Sequence, residues 1–320
     1  MSTESNAHFT SSHDEHASDV QALLAQLTPW QITDTSQRHA HRLQGYQRSG
    51  QGTPLHFLHG NGFCGLTLSG VAAPLPREWP LWFTDVPGHG GSDQPRHRMP
   101  DWQAMAESIA TALTANLAQA QQSGPVIGVG HSMGGVMTLL AAARHPQLFE
   151  RIVLLDPVLF SPEIILGQHV MRATGAWKRS ALVRSVSKRR RSWPEPQQMR
   201  DELASKGLYR QWQPAVLDAF VEYGSEDHQG ERRLCCDPRW EGAIFGSYPR
   251  GLWHAVRKVS VPVDILVAEN SYGFIEKSAR RAARVNPHIR WQRFGKTHCF
   301  PMEQPLETAE KLLQLLSQSR

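Results

Sequence analysis

Short apolar runs alternate with helix-like stretches along the chain. Met105, Ile109, Leu113 and Leu117 recur every four residues, which predicts a helix. Five apolar runs are too short for helices and rich in branched residues, which predicts buried strands: LHFLH (55–59), LWFTD (81–85), VIGVG (126–130), IVLLD (152–156) and VDILVAE (263–269). This alternation predicts an α/β fold, a mostly parallel sheet flanked by helices.

The alternation stops after Asp156 and resumes at Val263, about a hundred residues later, which is far longer than an ordinary loop. Within this interval, Asp237 is placed as an N-cap and Pro238 at a first helical position, so a helix is predicted there. The chain then returns through IRWQRF and closes with the amphipathic PLETAEKLLQLLSQ. An inserted helical lid is therefore predicted.

These patterns divide the chain into three parts. Residues 29–159 and 255–320 are predicted to form the core, and residues 160–254 the lid. Residues 1–28 begin with a polar stretch rich in Ser and His, without the basic start and apolar stretch of a secretory signal. We expect them to form a disordered or weakly ordered tail.

Composition narrows the class of protein. The chain is 40% hydrophobic and 20% charged, and no apolar run is long enough to span a bilayer. The four cysteines, which lack CxxC spacing, indicate neither a zinc site nor a disulfide framework: Cys64, Cys235, Cys236 and Cys299. We expect a cytoplasmic protein without a transmembrane segment or a metal.

Candidate chemistry centres on GVGHSMGG, residues 128–135, between a predicted strand and a predicted helix. Gly130, Ser132 and Gly134 follow the pattern G-x-S-x-G. A sharp strand-to-helix turn strains its central residue and leaves no room for side chains two residues to either side, so glycines are needed there. The turn would expose the Ser132 hydroxyl at a helix N-terminus, as a catalytic nucleophile requires.

A serine nucleophile needs a base and a third group that orients the base. His298 in FGKTHCFPMEQP follows the last predicted strand and precedes the final helix. It would lie at the carboxyl edge of the sheet, where ligand sites of parallel sheets collect. His298 is therefore the candidate base.

Together, HGNGF, DVPGHGGSD, GHSMGG, LLDP and THCFPMEQP resemble the α/β-hydrolases with a lid, a group that includes esterases, haloperoxidase-like enzymes, epoxide hydrolases and dehalogenases. The resemblance covers approximately residues 40–160 and 260–320. It implies an oxyanion hole formed by the backbone amides of Asn61, in HGNG, and Met133.

The position of the acid is open. The resemblance implies an aspartate near Ser271, but the sequence has serine there. A second location known in the family coincides with Asp156, which preserves the chain order Ser132, Asp156, His298. We favour Asp156, with Glu269 as the alternative acid because it ends the next predicted strand.

A serine nucleophile suits acyl transfer, whereas epoxide hydrolases and dehalogenases of this group attack with a carboxylate. The sequence therefore favours a cofactor-free hydrolase of the carboxylesterase type, acting on an ester, thioester or other carbonyl compound. Bulky aromatic residues in the predicted lid favour a small-molecule substrate with an acyl or aryl part. The alternatives are C–C bond hydrolysis or perhydrolysis on the same triad, and a non-catalytic relative that binds a ligand.

The net charge of +5 is concentrated in the basic lid segment, residues 178–191. This segment fits a solvated helix face, which we favour, or a surface for an anionic substrate or an anionic membrane. Nothing around it resembles a nucleic-acid reading motif, so no nucleic-acid partner is expected.

Overall fold

An eight-stranded sheet forms the centre of the protein in the computed structural model, which describes residues 3–35, 40–95 and 100–318. Its strands, in chain order, are β1 (Thr28–Asp34), β2 (His41–Arg48), β3 (Leu55–Leu58), β4 (Leu81–Thr84), β5 (Val126–His131) and β6 (Phe149–Leu155), with β10 (Val263–Val267) and β11 (Ile289–Arg293). Their spatial order is β1-β2-β4-β3-β5-β6-β10-β11. Only the pairs β1–β2 and β2–β4 of this sheet are antiparallel. The prediction of a mostly parallel sheet is confirmed.

A smaller sheet of order β7-β9-β8 lies between β6 and β10 in the chain. Its strands are β7 (Ser192–Trp193), β8 (Ser225–His228) and β9 (Glu231–Leu234). The helices are α1 (Thr3–Gln26), α2 (Ser69–Ala72), α3 (Trp102–Gln119), α4 (Met133–Arg144), α5 (Pro162–Ala173), α6 (Ala181–Ser187), α7 (Pro196–Ser205), α8 (Pro214–Tyr223), α9 (Pro238–Phe245), α10 (Leu252–Lys258), α11 (Gly273–Val285), α12 (Phe300–Glu303) and α13 (Pro305–Ser317).

Helices cover both faces of the large sheet. One apolar cluster joins the sheet to α3, α4, α10 and α11, and the other joins it to α1, α2, α8, α12 and α13. Strands β3, β4 and β10 are buried at every position, because both of their faces meet helices. This explains why their sequences are continuous apolar runs.

Strands β1 and β2 were not predicted, because their sequences mix polar and apolar residues. They pair antiparallel at the edge of the sheet, where only part of each strand is buried. Trp30 and Leu43 supply apolar contacts with the core, and the intervening polar residues hide the strand signal.

The N-terminal region, for which a disordered or weakly ordered tail is expected over residues 1–28, contains a helix. Residues 3–26 form α1, and Val20 and Leu23 near its end are buried. Helix α1 packs against α2 and α8, so the apolar residues at the end of this region tie it to the fold. Residues 1 and 2 of the predicted tail lie outside the described residues.

The chain between β6 and β10 carries α5 to α10 and the smaller sheet. Asp237 caps α9 as predicted, since its side chain accepts a hydrogen bond from the Arg239 amide. Helix α10 begins inside the predicted lid, at Leu252, but packs on α4 of the core. We call residues 161–246 the insertion. Across the described ranges, no helix combines the length and the apolar character needed to cross a bilayer.

Candidate active site

Ser132 occupies a strained turn between β5 and α4. Its φ of 55° and ψ of −114° lie in a region that non-glycine residues rarely adopt. A Cβ atom added at Gly130 would lie 2.6 Å from the Gly134 carbonyl oxygen, and one at Gly134 would lie 2.4 Å from the Leu58 carbonyl oxygen. Both positions require glycine, because neighbouring backbone atoms lie too close for a side chain. This is the reason inferred from the G-x-S-x-G pattern.

His298 lies between Ser132 and Asp156. Its Nε2 is 2.9 Å from Oγ of Ser132, and its Nδ1 is 2.6 Å from Oδ2 of Asp156. A carboxylate only accepts, so Nδ1 carries the proton that it donates to Asp156. Nε2 is then free to accept the proton of the Ser132 hydroxyl. The three residues come from the ends of β5, β6 and β11, which meet at one edge of the sheet.

Asp156 is fully buried directly after β6 and has a φ of 44°. Its amide donates to the Leu266 carbonyl (2.7 Å), and its Oδ1 accepts from the Ala268 amide (2.9 Å). The Ser271 hydroxyl donates to its Oδ2. The carboxylate is thus aimed by groups on the segment after β10.

The alternative acid, Glu269, lies on the same segment, but its side chain is exposed. Its backbone amide donates to the Gly295 carbonyl. The structure brings Asp156 to Nδ1 of His298 and leaves Glu269 at the surface.

The loop after β3, HGNGF (residues 59–63), carries the predicted oxyanion amide of Asn61 and lies against Ser132; we call it the oxyanion segment. A Cβ atom on Gly60 would lie 3.3 Å from Cβ of Ser132, so this loop runs directly beside the serine. Met133 is the first residue of α4, where backbone amides have no acceptor within the helix. Among the described residues, no acceptor pairs with the Asn61 amide either. Both amides are available to an oxygen atom beside Ser132.

Two buried histidines hold the oxyanion segment. His59 accepts from the Val86 amide at Nε2 (3.0 Å), and His89 accepts from the Gly62 amide at Nε2 (3.0 Å). Their Nδ1 atoms face the carbonyls of Gly60 and Pro87 and act as donors. Burial lowers the pKa of His89 to about 4 and that of His59 well below its usual value, so both rings are neutral.

His131 supports the base. Its Nε2 donates to the His298 backbone carbonyl at 2.8 Å. Burial, aided by the neighbouring His298, lowers the pKa of His131 to about 3. The sequence analysis did not single out His59, His89 and His131 as positioning residues. Their positions within the motifs HGNG, PGHGG and GHSMG could have identified them.

The insertion contacts the oxyanion segment. The Asn61 side-chain amide donates to the Glu241 carbonyl (3.1 Å). Burial raises the pKa of the Glu241 carboxyl to about 7, although Arg189, 3.0 Å away, opposes that shift. Phe63 meets Trp212 edge to face, with ring centroids 5.0 Å apart. The segment beside Ser132 is thus fixed from the core and from the insertion.

A cavity of about 340 Å³ opens beside His298. Leu208 and Tyr272, two large apolar side chains, line it and are half exposed. The Tyr272 ring meets the His298 ring edge to face at 5.1 Å. Within the described part of the chain, no group of His, Cys, Asp and Glu residues is arranged to hold a metal ion.

The sheet and the strained serine turn define an α/β-hydrolase fold. Residues 57–311 match the Alpha/beta hydrolase family, and the chain belongs to that family. Among solved structures, E-2-(acetamidomethylene)succinate hydrolase superposes with a TM-score of 0.67 at 21% identity, over 91% of this chain and 100% of that chain. An esterase of M. tuberculosis superposes with a TM-score of 0.65 at 24% identity, over 91% and 92% of the two chains.

Sequence relatives match over shorter segments. A serine hydrolase-like protein of Danio rerio is 34% identical over 35% of this chain and 33% of its own length. A pimeloyl-(acyl-carrier protein) methyl ester esterase of Neisseria meningitidis is 34% identical over 29% of this chain and 32% of its own length. The chain therefore spans about a third of the length of these curated relatives.

Proposed function

We propose that this protein is a serine hydrolase that cleaves an ester, thioester or other carbonyl substrate with an apolar part through an acyl-enzyme. The observation that carries the proposal is the position of the His298 ring, 2.9 Å from the Ser132 hydroxyl and 2.6 Å from the Asp156 carboxylate. The esterases among the relatives and structural neighbours support the same reaction class.

In the first half-reaction, Oγ of Ser132 attacks the substrate carbonyl carbon while Nε2 of His298 takes the hydroxyl proton. Asp156 holds the ring in the required tautomer and stabilises the imidazolium. The amides of Asn61 and Met133 donate to the oxyanion of the tetrahedral intermediate. His298 then protonates the departing alcohol or thiol, and Ser132 is left acylated.

In the second half-reaction, water attacks the acyl-enzyme and gives a proton to Nε2 of His298. The tetrahedral intermediate collapses, the proton returns to Oγ of Ser132, and the carboxylic acid leaves. Over the two half-reactions, substrate and water are the only molecules consumed.

The cavity beside His298 supports a substrate with an apolar part. Leu208 comes from the insertion and Tyr272 from the segment after β10, so the two enclose the cavity from different sides. We propose that the insertion acts as the lid of the site, because Glu241 and Trp212 contact the oxyanion segment.

We also propose a cytoplasmic location. All four cysteines are free thiols, and three of them are buried. This supports a reducing compartment.

Covalent labelling tests the proposed function. The purified protein is treated with a fluorophosphonate, and its intact mass is measured for the wild type, Ser132→Ala and Ser123→Ala. Ser123 is an exposed serine in the loop before β5 and serves as the matched control. We expect one adduct on the wild type and on Ser123→Ala, none on Ser132→Ala, and parallel loss of hydrolysis of short-chain p-nitrophenyl esters. A folded wild type that neither reacts with the probe nor cleaves esters would overturn the proposal.

A further inference from the structure

The first part of the insertion presents apolar side chains to solvent. Helix α5 has no buried residue, and Leu166 and Val170, four positions apart on one side of it, are 66% and 53% exposed. Leu182 on α6 is 51% exposed. A helix on the surface of a globular protein normally turns its apolar stripe inward. The outward stripe is therefore a feature to be explained.

Basic side chains follow this stripe in the chain, and only part of the basic segment is neutralised. Three of its arginines form ion pairs inside the insertion: Arg189 with Glu241 (3.0 Å), Arg190 with Glu202 (2.7 Å) and Arg191 with Asp237 (2.7 Å). Four other cations are exposed, and no carboxylate of the described residues pairs with them: Lys178, Arg179, Arg184 and Lys188. These four cations lie on a solvated face, as expected, and their charges are available to an anionic partner.

The apolar and basic groups belong to one region. The short helix Ala176–Arg179 packs against both α5 and α6. Val183 of α6 is buried, and α6 packs on α9, so Leu182 and Arg184 lie on its exposed side. We call the exposed residues of this region the docking face: Leu166, Val170, Lys178, Arg179, Leu182, Arg184 and Lys188.

The docking face is connected to the mouth of the cavity. Glu163 on α5 pairs with Arg281 at 3.2 Å. Phe160, just before α5, packs on Phe274 with ring centroids 5.4 Å apart. Phe274 in turn stacks on Tyr272, which lines the cavity beside His298. A row of aromatic side chains thus leads from Phe160, just before α5, to the opening.

We propose that the docking face binds an anionic lipid surface and that an acyl substrate reaches the cavity from that surface. Exposed apolar groups enter the headgroup boundary, and the surrounding cations attract anionic headgroups. A lipid surface is favoured over a protein partner because exposed cations without a carboxylate partner among the described residues accompany only a few exposed apolar side chains, a combination that suits shallow insertion among anionic headgroups. The part of the inference that concerns the substrate rests on the proposed function.

Vesicle binding tests the docking face directly. The full chain is mixed with vesicles of phosphatidylcholine alone, or of phosphatidylcholine with about one third phosphatidylglycerol, and bound protein is measured by sedimentation. We expect binding to the anionic vesicles alone and loss of that binding at about 0.5 M salt, where charges are strongly screened. The double variant Lys178→Gln/Arg184→Gln should partition about 30-fold less, since each cation near the surface contributes about a fivefold factor.

A second pair of variants makes the same substitution at an apolar position on the docking face and at one outside it. Leu166→Asp should weaken binding to anionic vesicles, whereas Val285→Asp, at an exposed apolar position on α11, should leave it unchanged. Equal binding to both vesicle types, no binding at low salt, or binding unaffected in both docking-face variants would overturn the proposal. Binding of a soluble acidic protein in place of the vesicles would also overturn it.

A separate measurement tests whether the substrate reaches the cavity from the lipid surface. Leu166→Asp should hydrolyse a water-soluble short-chain ester like the wild type but lose most of its rate on a long-chain ester held in anionic vesicles. If Leu166→Asp and the wild type hydrolysed the vesicle-bound ester at equal rates, the proposal that the substrate enters from the lipid surface would be wrong. If the wild type binds vesicles but reacts with no fluorophosphonate, the proposed function fails and lipid docking remains.

Discussion

The hydroxyl of Ser271 donates a hydrogen bond to Oδ2 of Asp156, the same oxygen that faces Nδ1 of His298. Ser271 is the position where the resemblance to α/β-hydrolases implies an aspartate. In this chain the carboxylate comes from the end of the neighbouring strand β6, and the serine helps to orient it. The segment after β10 thus acts on His298 through Asp156.

Replacing Asp156 and Glu269 in turn should show which of the two carboxylates orients His298. Asp156→Asn keeps the size of the side chain but removes the charge and the acceptor that fixes the His298 tautomer, so kcat should fall about ten-thousand-fold. Glu269→Gln is the matched control at an exposed position and should leave kcat close to the wild-type value. The check is steady-state hydrolysis of a p-nitrophenyl ester, with thermal melts to verify folding. A large loss in the Glu269 variant with an active Asp156 variant would reverse the assignment.

The close approach at the serine turn predicts a large loss of stability on adding one methyl group. Gly134→Ala would place Cβ 2.4 Å from the Leu58 carbonyl oxygen, so unfolding free energy should fall by about 3 kcal/mol or more. Gly167→Ala on α5 meets no atom within 4 Å and should stabilise by up to about 1 kcal/mol, because alanine favours helix. Urea unfolding measures both. An unchanged midpoint for Gly134→Ala would contradict the close approach.

The oxyanion segment can be probed through Asn61 without removing its backbone amide. Asn61→Ala deletes the hydrogen bond to the Glu241 carbonyl and should lower kcat about tenfold by loosening the segment. Asn61→Asp also places a negative charge beside the developing oxyanion and should lower kcat about a hundredfold. Both variants should change KM much less than kcat, since the oxyanion forms only after binding. An aspartate variant as active as the alanine variant would mean that Asn61 does not border the oxyanion.

Buried neutral histidines predict loss of stability in acid. Burial lowers the pKa of His56 from 6.5 to about 3. Between these values the unfolded chain binds a proton that the folded chain does not, so stability falls as pH falls below 6.5 and is unaffected above it. His56→Gln can still bond to the Thr84 hydroxyl and should remove about 2 kcal/mol of the loss between pH 7 and pH 5.

Comparing His56→Gln with the wild type separates the contribution of His56 from that of buried carboxyls that act in the opposite direction. Burial raises the pKa of Asp85 to about 6 and that of Glu241 to about 7. As pH falls through those values, the folded state binds these protons before the unfolded state does, so both carboxyls increase the stability of the fold. The exposed His288→Gln is the control, and its urea midpoints should follow the wild type across the range. Identical pH curves for His56→Gln and wild type would show that His56 does not carry the effect.

The buried part of the sheet could be predicted because helices on both faces make strands such as β3 and β10 entirely apolar. Ser132 and His298 could be singled out because a local pattern and a place after the last strand mark them. The choice between Asp156 and Glu269 depended on the pairing of β6 with β10, which joins the Asp156 amide to the Leu266 carbonyl. No local pattern encodes that pairing.

The roles of the supporting histidines depend on hydrogen bonds that the motifs around them do not specify. His89 acts on Gly62, 27 residues away, through one ring nitrogen in one tautomer. Composition and periodicity carry no information about a tautomer or about a hydrogen bond across such a separation. The same holds for the ion pairs that neutralise Arg189 to Arg191.

Because the proposed acid lies at the end of β6, most of the segment after β10 takes no part in the proposed reaction. Ser271 is tied to Asp156, but Glu269, Asn270 and Tyr272 are exposed, and two of them line the cavity. Mutations there can alter which molecules fit beside His298 while the reacting atoms stay in place. Under the proposed function, substrate preference can therefore change in evolution without a change in the catalytic residues, and this segment is where such changes would accumulate.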